Sequence, residues 1–418
     1  MPAFGRGNER AGLRYIDRMA ASSTIVLVID RLGAGYLGPY GNTWLETAGF
    51  NRLAATAILC EQMLTHSPDL AEVYRAYWQG GAPGQPSLPQ LARTAGCRAV
   101  LVTDDADLAQ FPAAADFDEL HLVEPPPEFA DRTTPADDVA ETAFIRLIET
   151  AAAQLETWRH SDQPQLLWIH ARAMNGPWDA PLEMRAQFAD EDDPPPAAGI
   201  DPPNEMLASN YDPDHVLSVA HAYAAQVAVV DLGLQALLAA IDELPQRDSC
   251  TFAVTSPRGY PLGEHLRIGP CDHALYGELL HVPCLIRFPG GEGALTRTQS
   301  LAQPADLFAT LADANGWTSE EKLVEQSLLR IVRGNETVQR SIAVATAPDQ
   351  QLLRTIAWQL RVVKSDEGDR YELYAKPDDR WEFNDIASRA PDIIKQLLEQ
   401  ANVPKQHELP EELISPWR

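Results

Sequence analysis

The chain has 418 residues, enough to bury a substantial core, and its 45% hydrophobic and 22% charged content is ordinary for a globular protein. Sixty acidic residues against 33 basic ones leave a formal net charge of −27. That balance argues against nucleic acid, anionic polysaccharide and anionic membrane as default partners, because long-range repulsion slows their encounter.

In chain order, residues 24–29 form an apolar, β-branched run of the kind that is buried on both faces of a sheet. It ends at Asp30, where an open α/β sheet presents ligands. A lone aspartate there either caps a turn or binds a cation. Residues 50–59, FNRLAATAIL, are expected to be helical. Residues 87–103 read as helix, glycine stop and strand, and residues 138–158 carry apolar side chains at helical spacing. An apolar strand from residue 166 ends at His170, which is either a hydrogen-bonded structural histidine or part of a pocket. Residues 189–214 are acidic and proline-rich and are expected to loop over the surface; their carboxylates read as solvated rather than metal-binding. A long helix is expected over 215–243, and another buried strand from 250. After about residue 340 the pattern changes to two or three short strands and a closing amphipathic helix. The alternation implies a doubly wound α/β fold. The expected division is an N-terminal extension (1–21), an α/β domain (22–340) and a C-terminal subdomain with tail (341–418).

Cys60, Cys97, Cys250, Cys271 and Cys284 show no C-x-x-C spacing and read as reduced, mostly buried thiols. The first 23 residues contain no secretory pattern, and no run approaches the ~18–20 continuous apolar residues of a membrane span. A cytoplasmic protein is the expectation.

Several ordered motifs resemble the sulfatases of the alkaline phosphatase superfamily, over about residues 22–400. In that family a strand ends in T-S-D-H-G, followed by L-G-E-H and R-V-P-x-x-x-R-F-P. Here residues 255–259 are TSPRG, 262–265 are LGEH and 281–289 are HVPCLIRFP. Pro39-Tyr40-Gly41-Asn42 matches the turn after the first strand, and residues 176–181, GPWDAP, match the loop after His170. Near the C-terminus, Arg354-Thr355, Glu372-Leu373-Tyr374 and Arg380-Trp381-Glu382-Phe383-Asn384-Asp385 match the family's subdomain. The resemblance implies a central mixed, mostly parallel sheet flanked by helices, with a small C-terminal antiparallel sheet and helix.

It also implies which positions carry the chemistry. The family's Asp-His pair, which binds a divalent cation, falls on Pro257 and Arg258. Proline has no donor atom in its side chain, and a guanidinium repels a cation. Of two adjacent aspartates, Asp30 is kept, as a vestigial ligand, and the second is Arg31. The family nucleophile, a Cys or Ser oxidised to formylglycine, sits in C-x-P-x-R or S-x-P-x-R. Taking Arg75 as the motif arginine places the nucleophile at Ala71, and a one-residue slip places it at Leu70; neither side chain can attack. Ser67-Pro68 is an alternative that lacks the arginine two residues on. The family lysine four residues before Tyr276 is Asp272, with His273 beside it.

His170, His265, His273 and Arg75 remain candidates for a residual pocket. Arg31 and Arg258 either bind an anion or pair with local carboxylates such as Asp30 and Asp272. The leading expectation is a sulfatase-fold protein without metal-dependent hydrolysis, binding an unidentified small anion or a protein partner, with no cofactor, nucleic acid or membrane. The alternatives are a divergent sulfuric-ester or phospho-ester hydrolase using calcium or magnesium, and a purely structural protein with a closed pocket.

Overall fold

The computed structural model describes residues 22–81, 84–334, 340–401 and 409–415. The expected N-terminal extension, residues 1–21, lies outside them. In chain order the strands are β1 (Thr24–Ile29), β2 (Ile58–Met63), β3 (Arg98–Thr103), β4 (Glu119–Leu122), β5 (Gln165–Ala171), β6 (Glu205–Met206), β7 (Thr251–Thr255), β8 (Arg267–Ile268), β9 (Cys284–Arg287), β10 (Arg297–Ala302), β11 (Ala343–Ala347), β12 (Gln350–Arg354), β13 (Trp358–Val363) and β14 (Arg370–Ala375). Eight of them form one sheet in the order β10-β2-β9-β7-β1-β5-β3-β4. All its neighbours run parallel except β9, which is antiparallel to both β2 and β7. Strands β11 to β14 make an antiparallel sheet, and β6 pairs with β8.

The period of β1 explains the layering. Ile25, Leu27 and Ile29 enter one hydrophobic cluster together with the helices Ala48–Ala54, Ala143–Trp158 and Pro213–Asp242. Val26 and Val28 enter another, with Leu70–Gln79, Leu88–Thr94 and Pro304–Ala314. A strand whose neighbouring side chains point to opposite faces must be apolar throughout when both faces are covered by helices.

Three expectations need adjustment. Of residues 50–59, only Phe50–Ala54 is helical; Ile58 already belongs to β2. The alanine-rich run satisfies either period, and the place beside β9 and β10 decides for strand. The helix expected from 138 begins at Ala143, after a short 3₁₀ turn at Val139–Glu141. The C-terminal sheet has four strands rather than two or three.

Pro213–Asp242 is long and apolar enough to cross a membrane by length and composition, contrary to the expectation that no segment approaches this. Two-thirds of its most apolar window is buried in the protein (67%), as in a core helix. Its polar groups serve the fold. The Asp231 carboxylate accepts from the N–H groups of Gly49 and Phe50 at 3.0 Å each, which tethers the start of Ala48–Ala54.

Strands β2 and β9 stay in ladder register only through Ile58–Ile286 and Leu59–Leu285. Beyond that the Tyr40 hydroxyl stands between them. It accepts from Cys284 N at 2.7 Å and lies 3.1 and 3.2 Å from the carbonyl oxygens of Cys60 and Cys284.

Candidate functional site

The parallel register brings the ends of four strands to one place. Val28 pairs with His170 on β5 and Thr255 on β7, and His170 pairs in turn with Thr103 on β3. Asp30, His170, the Asp104–Asp105 turn and the Ser256–Gly259 loop therefore gather at the carboxyl edge of the sheet, the usual site of an open α/β fold.

The loop after β7 is tightly held. Ser256 Oγ donates to Arg258 O at 2.7 Å and accepts from Leu32 N at 3.2 Å. A Cβ on Gly259 would stand 2.1 Å from the Glu278 carbonyl oxygen, so only glycine permits this approach. The loop aims Arg258 at Asp30: Nε donates to Oδ1 and Nη2 to Oδ2, each at 2.9 Å, while Nη1 donates to Pro68 O at 2.9 Å. Asp30 is completely buried. Burial pushes its carboxyl up, but the charge and hydrogen bonds of Arg258, helped by Arg31 and His170, outweigh this and hold it below its ordinary value.

Arg31 is arranged differently. Its φ of 67° lies in the left-handed region, a strained conformation for an arginine. The turn is held by Tyr223, whose hydroxyl donates to Arg31 O at 3.0 Å and accepts from Gly33 N at 3.4 Å. The side chain is buried, with 3% of the residue exposed. It makes two long hydrogen bonds, to Asn175 Oδ1 and Gly259 O, both at 3.4 Å. Among the described residues it has no carboxylate partner. Burial and then repulsion from Arg258 push it down to about 9. His273 is exposed near the same pair; burial and the charges of Arg31 and Arg258 lower its pKa.

His170 is fully buried, with Nδ1 2.6 Å from the Tyr74 hydroxyl. Its Nε2 faces Asp105 Oδ2 at 3.6 Å, in ion-pair range but beyond a hydrogen bond, and has no other partner among the described residues. Burial would raise Asp105; the His170 ring and the N–H groups of Leu108 and Asp107 outweigh it and hold it down to about 2. Next to it, burial pushes Asp104 up to about 6, although its carboxylate accepts from Arg172 N at 2.8 Å.

The remaining candidates lie apart from this cluster. Arg75 is exposed and paired with Glu72 at 2.6 Å. Leu70 and Ala71 form the first turn of the helix capped by Asp69, and Ser67 Oγ accepts from Asp69 N at 3.1 Å. His265 stacks on Tyr276 with ring centroids 3.7 Å apart, and bonds Glu278 Oε1 at 2.9 Å and Glu382 O at 3.1 Å. Asp272 is held by Arg267 through two hydrogen bonds of 2.8 and 2.5 Å. Among the described residues no group of three or more His, Cys, Asp or Glu side chains is placed to hold a metal. The donors present do not fit a divalent cation, since both oxygens of Asp30 are already taken by a guanidinium.

Sequence reasoning missed Tyr74 and Asp105, which hold His170. It also anchored the nucleophile segment on Arg75. Pro68 offers another register: its carbonyl meets Arg258, and the family motif has proline two residues after the nucleophile. Counted from Pro68, His66 stands at the nucleophile position and Leu70 at the arginine position. The His66 ring is half-buried near Glu72 and Arg340, and burial lowers its pKa.

The family profile described as Sulfatase matches residues 22–317. A comparison with curated proteins found no match. Among solved structures, a phosphonate monoester hydrolase of Agrobacterium radiobacter superposes with a TM-score of 0.72 at 16% identity, covering 91% of this chain and 94% of that one. A protein solved in complex with its substrate D-glucosamine-2-N,6-O-disulfate gives 0.71 at 16% identity, with 91% and 96% covered. The phosphonate monoester hydrolase from Silicibacter pomeroyi gives 0.66 at 15% identity, with 91% and 94% covered. At such identities the structures speak for the fold alone, while the profile spans most of the sequence. The chain belongs to the sulfatase family of the alkaline phosphatase superfamily.

Proposed function

We propose that this protein is a sulfatase-fold binder of small oxyanions that has lost metal-dependent hydrolysis of sulfate esters. One observation carries the reading: Arg258 engages both oxygens of the buried Asp30 carboxylate. A divalent cation would have to displace a guanidinium already paired and desolvated, and then share the space with Arg31. The nucleophile is missing as well, because Leu70, Ala71 and His66 cannot become formylglycine and Ser67 Oγ caps the turn at Asp69.

Arg31 supports the binding half of the proposal. A buried guanidinium without a carboxylate is costly, and an oxyanion beside it would compensate the charge bidentately. His273 stands near enough to feel Arg31 and Arg258 and would add a donor. A divergent hydrolase would need its histidines to share one reacting atom. His170 is engaged by Tyr74 and Asp105, and His265 by Glu278 and Glu382, with no partner in common.

Thermal denaturation of the pure protein with sulfate, phosphate, calcium or magnesium tests this, combined with elemental analysis and an aryl sulfate assay. Stabilisation by the anions and its loss in Arg31→Met are expected, because a ligand that binds only the folded state stabilises it by mass action. One tightly held divalent ion per chain, with turnover abolished in Asp30→Ala, would overturn it.

A further inference from the structure

A cavity of about 530 Å³ opens where the C-terminal sheet meets the turn 33–42 and the end of β2, and its lining includes none of Asp30, Arg31, His170 or Arg258. Its volume suits a ligand of monosaccharide size. Arg354, Lys376 and Arg380 share this lining with His281, whose Nε2 lies 2.8 Å from Glu61 O; burial, joined by the three charges, outweighs that bond and presses His281 down to about 4. Of these three, Lys376 alone has a carboxylate within ion-pair distance among the described residues, Glu382 at 3.0 Å. Arg354 is 4% exposed and spends its guanidinium on neutral oxygens: Thr355 O at 2.6 Å, Gln62 Oε1 at 3.2 Å and Ile356 O at 3.4 Å. Arg380 is exposed and lies 5.1 Å over the ring of the half-exposed Trp381. Among the described residues neither arginine makes an ion pair. Glu382 eases the charge of Arg354 at longer range, and the lining also holds Glu61, Glu264 and Glu278, so what stands out is that neither of these two arginines is directly paired.

The same cavity carries groups suited to hydroxyls. Tyr36 OH faces Glu264 Oε1 at 3.5 Å, and burial, then the charge of Glu278, raises the Glu264 carboxyl. Trp381 offers a flat apolar face at the rim.

We propose that this cavity is a second ligand site, for a small polyhydroxylated molecule bearing one oxyanion group, in which Arg354 and Arg380 take the anion and Tyr36 and Glu264 take hydroxyls. The pairing is charge-assisted, so it distinguishes an acidic sugar from its neutral parent. The site is separate from the one at Arg31.

Titration calorimetry with glucose 6-phosphate, glucuronate, glucose and inorganic phosphate, following tryptophan fluorescence in parallel, tests it. At least one of the two acidic sugars is expected to bind in the millimolar range or tighter, and at least about tenfold better than glucose. Arg380→Ala, which removes an exposed side chain that makes no ion pair among the described residues, is expected to weaken that binding about tenfold at unchanged thermal stability. Arg31→Met is expected to leave it intact. Equal affinity for glucose, indifference to Arg380→Ala, or no binding at millimolar concentration would overturn the proposal. Binding of inorganic phosphate alone would overturn the sugar-sized ligand, and loss of binding in Arg31→Met would assign the ligand to the other site.

Discussion

Arg258 closes over Asp30 with a two-pronged hydrogen bond, Nε on Oδ1 and Nη2 on Oδ2, both at 2.9 Å. The two residues are 228 positions apart and meet because β1 and β7 are parallel neighbours ending at the same edge. A cation that belongs to the chain thus sits against the carboxylate that, by resemblance, would hold a free one. Such a cation cannot be chelated away, and it offers no open coordination position to a substrate.

Breaking this pair from one side leaves a charge buried alone. Arg258→Met is expected to destabilise the protein by about 3–5 kcal/mol, whereas Asp30→Leu combined with Arg258→Met should recover much of that loss. Urea unfolding of the two single variants and the double variant measures the coupling. Equal, additive losses would mean that the pair contributes nothing as a pair.

Replacing Arg31 by glycine should act in the opposite direction. Glycine adopts a φ of 67° freely, and the change also removes a poorly compensated buried cation. A gain of about 1 kcal/mol in the absence of anions is expected, together with loss of any anion-dependent stabilisation. A destabilised Arg31→Gly would show that the guanidinium supports the fold through its bonds to Asn175 and Gly259.

Tyr74 is the partner that holds the His170 ring. Tyr74→Phe keeps the packing against Trp78 and Trp168 but takes the hydroxyl away from His170 Nδ1 and from Trp168 Nε1, which donates to it at 3.4 Å, in a buried site. The expected cost is about 1–3 kcal/mol, read as a lower urea midpoint at unchanged slope.

These partners show where the sequence was legible. The run Thr24–Ile29 is apolar at every position, which is the mark of a strand covered on both faces, and Asp30 at its end marks the sheet edge. Arg258 is conspicuous as a charge directly after a buried strand, and pairing with Asp30 was one of two readings open to it. Which carboxylate each arginine takes was not legible, because the choice depends on loop geometry: Asp272 goes to Arg267, and Arg31 gets none among the described residues. Tyr74 carried no functional signal either, since Tyr74, Tyr77 and Trp78 read as core aromatics and do pack as such. Arg75 was chosen by spacing alone; in the helix that starts at Leu70 it faces solvent and pairs with Glu72.

His281 sets a pH dependence. Its folded pKa is about 4 against an ordinary 6.5, so between those values the unfolded chain takes up a proton that the folded one refuses. Stability should therefore fall as pH drops from 6.5 to 4 and then level off for this group, by on the order of 3 kcal/mol. Unfolding free energies of wild type and His281→Asn across that window isolate the contribution. Parallel curves would place the proton elsewhere.

Tyr40 stands where the ladder between β2 and β9 would continue, and its hydroxyl serves both strands in place of a backbone rung. The Pro-Tyr-Gly-Asn turn that carries it therefore has an architectural job independent of any reaction. Selection for folding is enough to retain such a turn whatever happens at the carboxyl edge of the sheet. Frame and chemistry are then under separate constraints, and the motif that marks the family reports on the frame.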